Sequence, residues 1–291
     1  MTQTKPLEFT GERFTPECVR EMAYEHWHRY AWAATLVSDK VVLDAACGEG
    51  YGSSLLSRTA RRVTGIDIDA DSVAHASARY ATDSLAFECA SCLDLPLADD
   101  SVDVVVSFET LEHLAEHDAL MIEFRRVLKP EGFLLMSSPD RKTYSDETGY
   151  DNPFHVRELY REEFEQLLSQ HFPAWRLFGQ KLLFASALWA MDGQGRTQWL
   201  MDQIGGPSED RLPIWPPLYF LAAAAASESA LPALPGVSLY GDREESVYQH
   251  YNDEVRKHIR AGHLLAELEA EIAELKRRLD QPWWRRWWPA K

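Results

Sequence analysis

The sequence predicts an α/β fold around a parallel sheet, and two observations carry that reading. Between Lys40 and Asp140 five short apolar runs, KVVLDAAC, RVTGIDID, SLAFECAS, VDVVVSF and FLLMSSP, alternate with stretches rich in helix formers. The first run leads into a glycine-rich turn, CGEGYG, that opens a helical stretch, the usual way a strand is joined to a crossover helix.

The elements follow in order. SSLLSRTA, SVAHASARYA and EHDALMIEFRRVL place apolar residues three and four apart and read as the helices between the strands. Beyond Asp140 the pattern loosens: Glu162 to Phe172 reads as a helix and WRLFGQKL as a strand. Residues 183–217, with Gly193, Gly195, Gly205, Gly206 and several prolines, read as a cap or insertion. PPLYFLAAAAAS is ambiguous, because alanine favours helix while the flanking prolines and the position favour a short buried strand; we read it as the final strand. From Ala261 through Leu265, Leu268, Ile272 and Leu275 to Leu279 the apolar spacing is 4-3-4-3-4, the seam of a short coiled coil or of a surface helix packed on its own domain. The organisation is therefore a helical leader (1–39), a main domain (40–240), a C-terminal helix (241–281) and a tail (282–291).

Composition narrows the function classes. The 291 residues are 45% apolar and 26% charged, which excludes collagen-like, disordered and disulfide-dense classes. The net charge of −16 argues against nucleic acid as a partner. No apolar stretch reaches the roughly 20 residues of a membrane span, and the opening MTQTKPLEFTGER has no apolar signal core. A cytoplasmic protein with reduced cysteines is expected; Cys89 and Cys92 form a C-x-x-C pair, but no second pair follows at zinc-finger spacing. The tail QPWWRRWWPAK is the exception to the acidic balance: Trp283, Trp284, Trp287 and Trp288 flank two arginines. From Lys276 to Lys291 six basic residues face one acid, a local charge of about +5. Such a tail suits peripheral contact with a membrane interface or docking on a protein partner.

The turn after the first strand carries Gly48, Gly50 and Gly52 with Ser53 where a dinucleotide fingerprint wants a glycine, so a nicotinamide enzyme is a weak reading. Asp44 precedes the glycines, Asp67 ends the next strand where a carboxylate can accept both ribose hydroxyls, and Asp94 follows the third strand within reach of an adenine amino group. Together they ask for a nucleoside.

These segments resemble, in order, the motifs of class I S-adenosylmethionine-dependent methyltransferases: VLDAACGEG, GIDID, LDLPLADDSVDVVVSFETLEHL and RRVLKPEGFLLMSSP, over about Val41 to Pro139. The resemblance implies a Rossmann-like, seven-stranded, mostly parallel sheet and S-adenosyl-L-methionine as cofactor. It implies that Asp44, Ala45, Gly48 and Gly50 line the methionine moiety, that Asp67 and Ile68 hold the ribose and flank adenine, that Asp94 and Leu95 close over the base, and that Phe108 completes the site. The leader, GERFTP through YEHWHRYAWA, is similar to that of bacterial methyltransferases acting on cell-surface polysaccharide, which implies Arg29 and Tyr30 at the cofactor carboxylate.

Methyl transfer to oxygen needs alignment and a base. After VDVVVSF comes Glu109-x-x-Glu112-His113, expected on one side of a first helical turn. This string resembles the magnesium-binding motif of small-RNA 2′-O-methyltransferases and ubiquinone-pathway O-methyltransferases, with His155 in the place of their downstream histidine. Glu109, Glu112, His113 and His155 could hold Mg2+ or another divalent metal, or His113 and His155, with Glu109, could serve as metal-free base machinery. His117 is expected in solvent. Asp140, Arg141, Tyr144, Asn152 and Glu158, with Tyr150, Phe154 and Tyr160, resemble a sugar-binding edge. The expectation is an O-methyltransferase of an O-antigen-type surface glycan, its acceptor lipid-linked, docked at the inner membrane face and oligomeric through the C-terminal helix. The rivals are an O-methyltransferase of a small aromatic or prenylated acceptor, and a non-catalytic cofactor-binding scaffold.

Overall fold

The computed structural model describes residues 15, 21–183, 191 and 215–280. They divide into two compact units, one ending at Tyr240 and one beginning at Gly241.

The first unit runs α1 (Glu21–Ala34), β1 (Val41–Ala45), α2 (Tyr51–Leu56), β2 (Arg62–Asp67), α3 (Ala70–Tyr80), β3 (Leu85–Cys89), β4 (Val102–Ser107), α4 (His117–Val127), β5 (Leu128–Pro139), α5 (Arg161–His171), β6 (Ala174–Gln180) and β7 (Tyr219–Ala225). A 3-10 turn at Leu111–His113 follows β4, and a π turn at Lys142–Asp146 follows β5. The seven strands form one sheet in the order β3-β2-β1-β4-β5-β7-β6, with β7 antiparallel to both neighbours and the other pairs parallel. This is the class I methyltransferase arrangement that the motif order implied. The strand order reverses between β1 and β4, which opens a crevice at their carboxyl ends.

The central strands read as continuous apolar runs because both faces are covered. Along β4, Val102 and Val105 join the core under α4 and α5 with Leu120, Met121, Phe124, Phe164 and Leu168, whereas Val104 and Val106 join the core under α1 and α2 with Tyr30, Trp32, Ala33 and Leu56. The alanine run resolves as β7, its residues 222–225 fully buried between β5 and β6. Alanine's helix propensity is overridden there by pairing on both edges.

Two expectations need correction. His117 is buried at the start of α4, and burial pulls its pKa below the usual imidazole range. Glu109 does not share a helical turn with Glu112 and His113: it sits before that turn with φ 52°, so its side chain leaves in another direction.

The second unit contains α6 (Ser246–Leu279), a single 34-residue helix. Among the described residues no helix is long and apolar enough to cross a membrane. Cys47, Cys89 and Cys92 are free thiols. Nearly all of the expected cap and all of the tryptophan tail lie outside the described residues.

Candidate active site

The crevice is built on the turn from β1 to α2. Ala46 (φ 58°), Gly48 (φ 55°) and Gly50 (φ 91°) all take left-handed backbone there. At Gly50 a Cβ would stand 2.7 Å from the Cβ of Ala76, so glycine is needed for backbone shape and for space. Two carboxylates fix the turn. Asp67, at the end of β2, accepts from the Gly48 N–H at 2.8 Å and from the Asp69 N–H at 2.9 Å. Glu49, 1% exposed, accepts from His75 Nε2 at 2.9 Å, Arg79 Nη1 at 2.8 Å and Tyr80 Oη at 3.0 Å, which ties the loop to α3.

Asp44 is fully buried. Its oxygens accept from Tyr30 Oη at 3.1 Å and Ser53 Oγ at 2.5 Å, so it pins α1 and α2 together rather than facing the crevice freely. Burial pushes its carboxyl up to about 7 against the pull of those two hydroxyls. Phe108 packs edge-on against Tyr30 with centroids 5.1 Å apart. On the nucleoside side, Ile68 is 76% exposed beside Asp67, and Asp94 is exposed as well. Ala45 and Leu95 are different: both side chains are sunk in the core, and the Leu95 N–H is held by Glu123 at 2.7 Å. Neither side chain faces the crevice, whereas those of Ile68 and Asp94 are exposed.

Arg29 is the most informative residue. It is 1% exposed, donates from Nε to Gln180 Oε1 at 2.7 Å, and lies 4.4 Å over the Tyr219 ring. Its Nη1 stands 3.3 Å from Glu109 Oε1, yet among the described residues neither Nη1 nor Nη2 makes a hydrogen bond. Burial works against its charge, but Glu109, Tyr219 and Glu25 outweigh it and raise the guanidinium's pKa. Two buried N–H-bearing groups without acceptors are what the carboxylate of an amino-acid cofactor would satisfy. With the glycine turn, Asp67 and the exposed Ile68, the residues present fit S-adenosylmethionine.

Glu109 completes this corner instead of joining the histidines. Its N–H donates to Ser137 Oγ at 3.0 Å, and that hydroxyl donates back to Glu109 Oε1 at 2.6 Å. Sequence reasoning missed Ser137 and Gln180; polar residues closing two otherwise apolar strands were the available signal.

The histidines meet elsewhere. Ligand atoms of Glu112, His113 and His155 lie within 4.8 Å of one another. His113 Nδ1 donates to the Phe154 carbonyl at 3.1 Å, and its Nε2 stands 4.0 Å from the buried Glu112 Oε1. His155 Nδ1 donates to Glu158 Oε1 at 2.6 Å, while its Nε2 accepts from Asn152 at 3.0 Å. Ser145 donates to Glu158 Oε2 at 2.6 Å, and Tyr144 stacks on His155 with centroids 5.4 Å apart. Tyr144, Asn152 and Glu158 thus join one polar wall. The Asp140 carboxylate receives the Lys142 N–H at 3.1 Å, and the Arg141 guanidinium lies over the Tyr160 ring near Asp146.

A cavity of about 540 Å³ opens beyond Arg29, between α1, the end of β6, the start of β7 and residues 235–240. Trp32, Phe178, Phe220, Leu221 and Leu239 line it, with Glu25 and Lys181.

Comparison with known proteins agrees with this geometry. Residues 43–136 match the family model described as "Methyltransferase domain". A "Probable S-adenosylmethionine-dependent methyltransferase" of Mycolicibacterium smegmatis is 42% identical over 167 residues, 56% of this chain and 63% of the relative, so the match spans less than two thirds of that protein. A fatty-acid O-methyltransferase of the same species is 35% identical over 101 residues, 34% of this chain and 37% of the relative. Among solved structures, an S-adenosylmethionine-dependent methyltransferase of Thermotoga maritima matches the fold with a TM-score of 0.50 and 15% identity, over 70% of this chain and 90% of that one. The strand order gives the chain the class I methyltransferase fold, and within it residues 43–136 match the methyltransferase-domain model and resemble S-adenosylmethionine-dependent methyltransferases.

Proposed function

We propose that this protein is an S-adenosylmethionine-dependent O-methyltransferase whose acceptor is a sugar hydroxyl of a lipid-linked bacterial surface glycan. The observation that carries the reaction type is His113. Its Nδ1–H is committed to a backbone carbonyl, which leaves Nε2 for proton transfer in a cluster with Glu112 and His155.

The bound cofactor supplies an electrophilic methyl carbon. Arg29 and Asp67 would hold its two ends, and the chain's remaining task is to bring a hydroxyl oxygen in line with that carbon and remove its proton. His113 Nε2 takes the proton as the new C–O bond forms. Glu158 keeps His155 in one tautomer, so that Asn152, His155 and Tyr144 present a fixed hydrogen-bonding face to the acceptor. Tyr150 and Phe154, both about half exposed, offer rings for stacking on a pyranose.

A divalent metal fits the same residues. Glu112, His113 and His155 would hold it as a mixed oxygen and nitrogen donor set once Asn152 releases His155 Nε2, and the ion would lower the pKa of a ligated acceptor hydroxyl. Glu109, engaged with Ser137 and Arg29, is not part of that set.

The cavity beyond Arg29 favours one further feature, an acceptor with an apolar portion. A lipid-linked glycan has such a portion, and so does the fatty acid named as substrate of the Mycolicibacterium relative. Transfer of labelled methyl to polysaccharide from a strain lacking the gene, with and without chelator, tests the reading. Label in the polymer supports the glycan acceptor, and loss on chelation supports the metal. Label only in free lipid, or in no extract despite S-adenosylhomocysteine binding, overturns the glycan assignment.

A further inference from the structure

The C-terminal helix α6 forms most of the second unit, and its surface carries information of its own. Over its second half it exposes an apolar stripe: Leu265 is 60% exposed, Leu268 44%, Ile272 51%, Leu275 48% and Leu279 66%. With Ala261 these residues keep the 4-3-4-3-4 spacing that puts them on one line along the helix. A stripe of large side chains this exposed is a cost unless something covers it.

The charges beside the stripe say what covers it. In the heptad frame that puts Leu265, Ile272 and Leu279 at a and Ala261, Leu268 and Leu275 at d, the flanking g positions are Leu264, Glu271 and Arg278, and the e positions are Gly262, Glu269 and Lys276. Two copies side by side in parallel bring Glu271 of each opposite Lys276 of the other, five residues on, an attractive pair made twice. Antiparallel copies that keep the six apolar residues in register bring Glu269 to Glu269 and Glu271 to Glu271 at the crossing point, two repulsive pairs. The central layers, Ile272 at a between Leu268 and Leu275 at d, suit two strands. Toward the N-terminus the same frame meets Glu254 and His258, so the seam begins at Ala261. The Glu274 and Arg277 ion pair lies on the outer face of the helix, clear of the seam.

We propose that residues 261–279 of α6 are a subunit interface: a parallel, two-stranded coiled coil formed with a second copy of this chain, its direction set by Glu271 against Lys276 of the other copy.

Sedimentation equilibrium and light scattering on the full-length chain test it. The expected mass is that of a dimer at micromolar concentration. The pair L268K/I272K, on exposed positions, should give a monomer while the chain's S-adenosylhomocysteine affinity is unchanged. The single reversals E271K and K276E should each weaken dimerisation on the order of three- to tenfold, and E271K/K276E should restore it to within about twofold. A monomer at about 100 µM, a trimer or larger species, or a dimer indifferent to L268K/I272K overturns the interface. Failure of the double reversal to restore what each single reversal lost overturns the parallel direction.

Discussion

Asp44 shows how much one buried carboxyl controls. An aspartate titrates near 3.9 in an unfolded chain, and the folded protein holds this one up to about 7. Between those values the folded state keeps a proton that the unfolded state has lost, so this residue makes the ligand-free protein less stable as pH rises from about 4 to about 7, by up to roughly 4 kcal/mol. Asp44→Asn, which keeps an acceptor for Ser53 and Tyr30, should therefore gain stability relative to the parent between pH 5 and pH 8 in chemical denaturation. An Asn variant that tracks the parent at both pH values would remove Asp44 as the source. A cationic ligand prefers the ionised form, so the parent's affinity for S-adenosylmethionine should rise through pH 7 and that of Asp44→Asn should not, as titration calorimetry would report. For His113→Ala the expected loss is about 10²- to 10⁴-fold in turnover with cofactor affinity within about twofold; unchanged turnover would take the base away from His113. The acids Asp44 and Asp67 and the two histidines were legible in the sequence, since motif spacing names them. The direction of Glu109 was not, because it depends on a left-handed backbone at a residue that rarely adopts it.

The elements around the glycine turn are tied together by buried polar groups and by close glycine packing. Glu49 is the only acid in CGEGYG, and it is spent on α3 through His75, Arg79 and Tyr80. Glu49→Ala should cost about 2 kcal/mol in denaturant unfolding and weaken cofactor binding roughly tenfold, by leaving buried donors unsatisfied and the loop loose. Gly52 packs against α1 so closely that a Cβ would come within 2.2 Å of the Tyr30 ring. Gly52→Ala should push Tyr30 off Asp44 and lower cofactor affinity more than Gly149→Ala lowers it, since at Gly149 the cost is confined to its left-handed backbone (φ 68°), with nothing within 4 Å of the Cβ position. Strands and helices were legible because apolar periodicity is local. The alanine run stayed ambiguous since its neighbours β5 and β6 lie 80 and 39 residues away at their nearest register partners, Pro139 and Gln180 opposite Tyr219, and local propensity carries no record of them.

On the scale of the first unit, the cofactor is a structural component as well as a reactant. Saturation at about 100 times the dissociation constant adds about 2.7 kcal/mol, which in a unit of this size should raise the melting temperature by roughly 5–10 °C. Arg29→Lys, a point charge that cannot fill the same fork of donors, should lose most of that shift in a thermal melt. In the site proposed above, Arg29 and Asp67 would meet parts of the cofactor that methyl transfer leaves untouched, its amino-acid end and its nucleoside. Such a grip does not distinguish the donor from the demethylated thioether that remains after reaction. On the proposed function the spent molecule would be an inhibitor by construction, and sustained turnover would depend on how fast the surrounding metabolism clears S-adenosylhomocysteine.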